Sequence, residues 1–270
     1  MKALAKLNQR IDAADSLLCV GLDSDFPRLP EAFTHYEYPL FVFNRWIIEQ
    51  THAHVCAYKL NMAFYEARGE RGCNSLRQTM EYLHLNHPDI VTICDGKHGD
   101  IGSSSDAYAR AVFDYYGFDA ATVNPYLGRD ALLPFLQRAD RACIVLCRTS
   151  NPGAGEFQDL DVGGRPLWQA VAENVRDTWN SAGNCMLVVG ATYPDELRRV
   201  RALVGDMPLL VPGVGAQGGD VAAVVRAGLD STGRGLVVSA SRAVIFAENP
   251  ATAARDLRAS INAHRQQARS

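Results

Sequence analysis

The sequence predicts an α/β fold, a closed (β/α)8 TIM barrel formed by a single domain over residues 1–270. Three observations support this: eight short apolar runs follow one another, helix-like segments separate most of them, and no Ser/Gly-rich linker divides the chain. Alternating strands and helices indicate parallel strands joined by right-handed crossovers. Eight such units in about 250 residues are typical of this barrel.

The predicted strands follow an N-terminal helical extension of about residues 1–17. Each strand is a short apolar run, as expected for parallel strands that are buried on both faces. They are Leu18–Asp23, Val55–Leu60, Ile90–Asp95, Ala120–Asn124, Cys143–Arg148, Met186–Gly190, Leu209–Val214 and Leu236–Ser239.

The predicted helices are segments whose apolar residues recur at three- and four-residue spacing. They are Leu40–Thr51, Ser75–Asn86, Asp106–Tyr116, Leu167–Ala182, Asp195–Val204, Gly219–Ala227 and Pro250–Arg265. A doubly wound open sheet is the alternative fold. It is disfavoured because no G-x-G-x-x-G follows the first strand and because eight units is the number that closes a barrel.

Composition excludes several classes of protein. The net charge is -3 and there is no basic tract, which argues against nucleic acid as the main partner. The apolar runs are too short to span a bilayer, and the N-terminus lacks a signal-peptide core. The seven cysteines include no C-x-x-C pair, so we expect reduced core residues rather than disulfides or a zinc site. Together these features predict a cytoplasmic protein.

Three charged residues at the end of the third predicted strand are the first candidates for catalysis. Asp95, Lys97 and Asp100 form a D-x-K-x-x-D array directly after the apolar run 90–94. Side-chain alternation along a strand would place Asp95 and Lys97 on the same side, with Asp100 in the following loop. Charged side chains next to a hydrophobic core cost free energy unless they form ion pairs. Active sites commonly retain such charged side chains because the chemistry requires them. The alternative is a surface ion pair on a βα loop.

Other polar residues also fall at or just after the C-terminal ends of predicted strands. In this barrel that end carries the active site. These residues are Asp23, Lys59, Ser150, Gln217 and Arg242.

A glycine-rich segment at the seventh strand predicts a phosphate site. Residues 212–220 read P-G-V-G-A-Q-G-G-D, and glycines let backbone N–H groups approach an anion closely. The segment S-A-S-R that ends at Arg242 adds hydroxyls and a guanidinium after the eighth strand. Loops after strands seven and eight frequently bind phosphate in this fold. The alternative is an ordinary glycine turn beside an exposed arginine.

Taken together, Lys59, the D-x-K-x-x-D array, P-G-x-G-A-Q-G-G and the terminal S-R closely resemble the orotidine 5'-phosphate decarboxylase family, in its longer bacterial branch. The resemblance extends from Gly21 to Arg242. It implies conversion of orotidine monophosphate (OMP) to uridine monophosphate (UMP) and carbon dioxide in de novo pyrimidine biosynthesis, with no cofactor and no metal.

The resemblance also implies a role for each candidate residue. Lys59, Asp95, Lys97 and Asp100 would form an alternating charge network in which Lys97 protonates the ring carbanion. Asp100 would reach the neighbouring subunit's site, which implies a homodimer.

The remaining implied roles concern substrate binding. Asp23 and Lys59 would hold the ribose hydroxyls and Ser150 would bond the pyrimidine ring. The implied phosphate ligands are Gly215, Gln217 and Arg242.

Three positions depart from the family pattern. Leu60 stands where the family often has Pro, His98 where this branch usually has Arg, and Ser104 where a Thr is expected near the partner subunit's ribose site. Because the four charged residues are intact, we expect altered affinity at most. We interpret His98 as a loop residue rather than a catalyst.

Other functions remain open at this point. A magnesium-dependent decarboxylase of a keto-sugar phosphate, or a formaldehyde-fixing aldolase, shares the barrel and the array, but typically has a carboxylate where this chain has Lys59. A non-catalytic phosphate-ligand sensor is a second alternative. A Schiff-base aldolase is a third, although carboxylates flanking Lys97 should keep it protonated and an imine-forming amine must be neutral.

Overall fold

Eight parallel β strands close into a barrel in the computed structural model, which describes residues 1–214 and 220–268. The strands are Leu18–Gly21 (β1), Ala57–Asn61 (β2), Val91–His98 (β3), Ala120–Val123 (β4), Ala142–Arg148 (β5), Cys185–Val189 (β6), Leu209–Pro212 (β7) and Leu236–Ala240 (β8). Each strand pairs with the next in chain order, and β8 pairs with β1. The predicted (β/α)8 barrel is confirmed.

Helices follow the strands around the outside of the barrel. They are Ala3–Ala14 (α1), Glu31–Thr34 (α2), Pro39–Thr51 (α3), Met62–Glu66 (α4), Gly69–Asn86 (α5), Gly102–Arg110 (α6), Arg129–Leu136 (α7), Gly155–Gln158 (α8), Leu167–Asn174 (α9), Pro194–Val204 (α10), Val221–Gly228 (α11), Arg242–Ile245 (α12) and Pro250–Gln267 (α13). No helix in the described ranges is both long and apolar enough to cross a membrane.

The strands form the centre of one continuous hydrophobic core. Every residue of β1, β4, β6 and β8 is buried, because parallel strands in a barrel contact the interior on one face and helices on the other. Six of the seven cysteines are buried, as predicted, and the seventh, Cys73, is half-buried.

The third strand extends three residues beyond its predicted end at Asp95. It reaches His98, which pairs with Val123 of β4 after a shift of register that begins at Cys94. The prediction that His98 lies in a loop is therefore wrong. Lys97 adopts a left-handed backbone (φ +48°) at this irregularity, and its N–H donates to the Thr122 hydroxyl instead of to a strand carbonyl.

Helix α6 also begins earlier than predicted, at Gly102 instead of Asp106. Its first turn is Gly-Ser-Ser-Ser, which carries no apolar residue for periodicity to detect. Ser105 is nevertheless buried, and its hydroxyl donates to the Ala131 carbonyl oxygen. The segment after β3 is thereby fixed against α7.

Candidate active site

Two lysines and two aspartates meet where the first three strands end. Lys59 Nζ lies 2.8 Å from Asp95 Oδ2 and 3.4 Å from Asp23 Oδ1. The other carboxylate oxygen of Asp95 lies 2.6 Å from Lys97 Nζ. Asp95 is therefore held between two ammonium groups, and the structure brings these four predicted site residues together.

The two lysines occupy different environments. The Lys59 side chain is 6 % exposed and lies inside the barrel, whereas the Lys97 side chain is 47 % exposed and lies at its mouth. Lys97 is therefore accessible to a ligand entering from solvent, while Lys59 is enclosed.

Ion pairing sets the protonation states of this network. Burial favours neutral Asp95, but the charges of Lys59 and Lys97 outweigh it, and the pKa of Asp95 is held well below its usual range. Burial likewise disfavours the Lys59 ammonium, but Asp23 and Asp95 outweigh it and raise its pKa. Both groups are thus charged at neutral pH.

Thr122 of β4 is a member of the site that sequence reasoning missed. Its hydroxyl donates to Asp95 Oδ1 (3.0 Å) and accepts the backbone N–H of Lys97 (2.9 Å). One side chain therefore fixes both the carboxylate and the irregular backbone that carries Lys97. A threonine inside an apolar strand gives no sequence signal for this role, because threonine is common in strands.

Asp23 is oriented from the opposite side by Ser241, the residue that follows β8. Ser241 donates from its hydroxyl to Asp23 Oδ2 (2.6 Å). Gly21 permits this arrangement, since a Cβ at that position would overlap Ser241 Oγ and would lie 3.2 Å from the same carboxylate oxygen. Ser241 belongs to the predicted S-A-S-R segment, but its contact with Asp23 was not predicted.

Asp100 and Ser104 do not join this cluster in the single chain. An Asp100 carboxylate oxygen accepts the N–H of Ile101 (2.8 Å), and none of the ion pairs in the described ranges includes Asp100. Ser104 is exposed on the first turn of α6.

Ser150 follows β5 and packs closely on β6. A Cβ at Gly190 would lie 2.8 Å from Ser150 Cβ and 3.0 Å from its backbone nitrogen, so only glycine allows this approach. Ser150 is half-buried beside the barrel mouth.

The predicted phosphate site is described only in part. Gly215 and Gln217 lie outside the described residues. Arg242 is exposed at the start of α12, immediately beyond the end of β8. Pro212 of β7 pairs with Ser239 of β8, so the two strands that would carry this site lie side by side.

His98 packs against the backbone that separates the two catalytic candidates. Its ring lies against Gly96, where a Cβ would overlap it, and 4.8 Å from the ring of Tyr108 between centroids. Burial lowers the pKa of His98, and its Nδ1 has no hydrogen-bond partner among residues 1–214 and 220–268. The ring acts as a packing element of the β3 irregularity.

The arrangement supplies a solvent-accessible ammonium group next to a buried carboxylate that cannot readily take up a proton. Such a pair can stabilise negative charge that develops on a bound ligand, and Lys97 can then donate a proton to it. In the described ranges no group of three or more His, Cys, Asp or Glu side chains has the geometry to hold a metal ion.

Comparison with known proteins identifies close relatives. The model of the orotidine 5'-phosphate decarboxylase / HUMPS family matches residues 16–257. The orotidine 5'-phosphate decarboxylase of Cellvibrio japonicus is 49% identical over 269 residues, covering 99% of this chain and 98% of the relative. The enzyme of the same name from Cupriavidus necator is 48% identical over 258 residues, covering 93% of this chain and 94% of the relative.

Solved structures give the same result for the fold. The OMP decarboxylase of Leishmania donovani superposes with a TM-score of 0.89 at 39% identity. The match covers 98% of this chain and 99% of that protein.

Proposed function

Because the chain belongs to the orotidine 5'-phosphate decarboxylase family, it is a carboxy-lyase that converts OMP to UMP and carbon dioxide, and we propose that it does so at the Lys59–Asp95–Lys97 network. The observation that carries this proposal is the half-exposed Lys97 ammonium, held 2.6 Å from buried Asp95 at the C-terminal end of the barrel. That end carries the active site in enzymes of this fold.

Lys97 is the proposed proton donor. Cleavage of the bond between ring carbon six and the carboxylate leaves the electron pair on that carbon, and carbon dioxide departs. The Lys97 ammonium stabilises the developing negative charge and then transfers a proton from Nζ to carbon six. Solvent returns the proton to Lys97, which is accessible at the barrel mouth.

Asp95 is proposed to hold Lys97 and to face the substrate carboxylate. The Lys59 and Lys97 charges keep the pKa of Asp95 low, so that it remains an anion next to the bound substrate. Repulsion between the two carboxylates is relieved as carbon dioxide leaves, which adds to the effect of the Lys97 cation.

The remaining proposed ligands bind the ribose, the pyrimidine ring and the phosphate of the substrate. Asp23 and Lys59 are proposed to hold the ribose hydroxyls and Ser150 the pyrimidine ring. The proposed phosphate ligands are Arg242 with Gly215 and Gln217.

A homodimer is proposed to complete each site with Asp100 and Ser104 of the neighbouring subunit. Support comes from exposed apolar side chains on the loops after β3 and β4, namely Ile101, which follows Asp100 in the chain (61 % exposed), and Tyr126 (77 % exposed). Apolar patches of this kind commonly mark protein interfaces. A cytoplasmic location, the absence of a cofactor and a single domain over residues 1–270 stay predictions.

The decisive assay follows loss of the orotate chromophore when purified protein is added to OMP, with and without EDTA. We expect the absorbance to fall in both cases, and we expect no fall with Lys97→Ala protein prepared in the same way, which controls for contaminating host enzyme. Activity that EDTA abolishes would favour the magnesium-dependent relatives. Full activity in the Lys97→Ala protein would contradict the proposed proton donor.

A further inference from the structure

We propose that Gln158 and Arg148 are positioning residues, which clasp the segment 149–159 onto the barrel and thereby hold Ser150 ready to bind the pyrimidine ring. The inference rests on the proposed function in so far as Ser150 is the ring-binding residue. The clasp itself is a feature of the free enzyme.

Gln158 links the two ends of the segment 149–159 through both polar atoms of its side-chain amide. Its Oε1 accepts the backbone N–H of Thr149 (2.9 Å), and its Nε2 donates to the Thr149 hydroxyl (2.9 Å). Thr149 in turn donates from that hydroxyl to Asn151 Oδ1 (2.6 Å). The two neighbours of Ser150 are therefore tied together and to the far end of the segment.

Arg148 joins this closed segment to the barrel. Its side chain is buried at the end of β5, where Nη2 donates to Asp159 Oδ2 (3.1 Å) and Nη1 makes a longer contact with Gln158 Oε1 (3.4 Å). The guanidinium also lies 4.2 Å from the centre of the Tyr193 ring, in the loop after β6. One buried cation thus contacts two of the loops at the barrel mouth.

Ser150 lies between this clasp and the wall of the barrel. Its backbone rests against Gly190, whose N–H donates to the Arg148 carbonyl oxygen (2.8 Å). Gly190 limits its position on one side, and the bonds from Gln158 to Thr149 limit it on the other. The backbone of Ser150 is consequently held in place before substrate arrives.

Apolar packing contributes little to holding this segment. Ala154 is buried, whereas Phe157 and Leu160 are more than half exposed. Segments with few buried apolar contacts open readily. The polar clasp therefore determines how much of the free enzyme has Ser150 in place.

The consequence for catalysis is a selective effect on substrate affinity. If the clasp is lost, only a fraction of the free enzyme is competent to bind, and apparent affinity falls by that fraction. Bound substrate restores the competent arrangement, so turnover at saturation is nearly unaffected. For Gln158→Ala we expect KM for OMP to rise about tenfold while kcat stays within about twofold.

The test combines steady-state kinetics with hydrogen exchange at the Thr149 amide. In the free Gln158→Ala protein that amide should exchange faster than in the unaltered enzyme, because the segment opens more often once the Gln158 acceptor is gone. Saturating UMP should slow the exchange by holding the segment against the barrel. Gln158→Glu retains an acceptor for Thr149 and Arg148, and should restore KM to near the unaltered value.

Gln169→Ala is the matched control. Gln169 also makes two side-chain hydrogen bonds, to Glu173 and from Arg199, but it lies on α9 outside the segment. This control should leave both KM and the exchange of Thr149 unchanged.

Two results would overturn the proposal: unchanged exchange at Thr149 in Gln158→Ala, or faster exchange without a change in KM. Failure of the proposed decarboxylase function can be distinguished from failure of the clasp. If the unaltered enzyme did not decarboxylate OMP, exchange at Thr149 in the unaltered and Gln158→Ala proteins would still decide whether the clasp exists, and its response to UMP would show whether a pyrimidine nucleotide stabilises the clasp.

Discussion

Thr122 shows how one uncharged side chain can control two charged ones. It binds Asp95 and the Lys97 backbone at once, so replacing it by the isosteric valine removes both contacts without a change of shape. We expect Thr122→Val to lower kcat about tenfold to a hundredfold with a smaller change in KM, because small displacements of reacting groups are costly. Steady-state kinetics measure this effect. Thr122→Ser keeps the hydroxyl and should recover most of kcat, and a fully active valine variant would contradict the assignment.

His98 should make stability depend on pH. Its pKa is lowered in the folded protein by burial, so the unfolded chain binds more protons below about pH 6.5, and stability falls as pH falls through that region towards the folded-state pKa. His98→Phe keeps an aromatic ring and removes the titration. We expect the stability of the variant, relative to the unaltered protein, to be higher at pH 5.5 than at pH 8.

Urea unfolding at the two pH values measures that difference. Other histidines with lowered pKa, such as His54 and His87, are present in both proteins and cancel in the comparison. An equal effect of the substitution at both pH values would contradict a lowered pKa of His98 in the folded protein.

At the residue scale, the sequence identified the charges but not the backbone that carries them. Alternation along a regular strand predicted that Asp95 and Lys97 would lie on one side. They do meet, but across a shift in register with Lys97 in a left-handed conformation. Nothing in the D-x-K pattern signals such a bulge, because it depends on the hydroxyl of Thr122, which lies 25 residues away from Lys97 along the chain.

At the element scale, the close contact between the ends of β1 and β8 fixes the position of the Asp23 carboxylate. Gly21 and Ser241 approach so closely that a methyl group at Gly21 must displace the Ser241 hydroxyl and press on Asp23. We expect Gly21→Ala to raise KM for OMP about tenfold or more, because Asp23 is the proposed ribose ligand. Steady-state kinetics and the UMP dissociation constant measure the effect.

Ser241→Ala separates the two parts of that effect. It removes the same hydroxyl from Asp23 without introducing an overlap, so its KM should lie between those of the unaltered enzyme and Gly21→Ala. A Gly21→Ala enzyme with unchanged KM and UMP affinity would show that the contact between the ends of β1 and β8 does not position Asp23 for substrate binding.

The strands were more predictable than the helix ends, for a physical reason. Strands of a parallel barrel are buried on both faces and therefore appear as uninterrupted apolar runs, as in Cys185–Val189. Helices need apolar residues on one face only, and their polar first turns leave no pattern. The start of α6 at Gly102 illustrates this. At the other end of a helix, the predicted helix Leu167–Ala182 stops earlier than expected, in the π turn Val175–Trp179.

At the scale of the whole molecule, chain order alone was enough to predict the barrel. Eight strand–helix units pair in sequence, and their carboxyl ends bring Asp23, Lys59 and Asp95 together from separate parts of the chain. The partner of Asp100 does not follow from this reasoning. In the proposed homodimer, Asp100 would reach the site of a second copy of the chain, and in the single subunit its carboxylate lies outside the network, next to the exposed side chain of Ile101.

The proposed contribution of Asp100 to the neighbouring subunit's site can be tested by mixing two inactive enzymes. Asp100→Ala and Lys97→Ala each remove a group from every site of their own homodimer, so each should be nearly inactive. In a mixed dimer, one site receives Lys97 from the first subunit and Asp100 from the second and is complete. Random exchange of subunits should therefore restore about a quarter of the sites, whereas the two proteins assayed before exchange should show only background.

The control for this experiment mixes Lys97→Ala with Asp95→Ala. Asp95 and Lys97 contact each other within one subunit, so every site of the mixed dimer lacks one of them and no activity should return. Mild urea followed by dilution exchanges the subunits, and loss of the orotate absorbance measures the outcome. If the Asp100 mixture stayed inactive although mixed dimers had formed, Asp100 would act within its own subunit. The loop after β3 would then have to move on substrate binding to bring Asp100 into the network, because its carboxylate stands outside the network in the free chain.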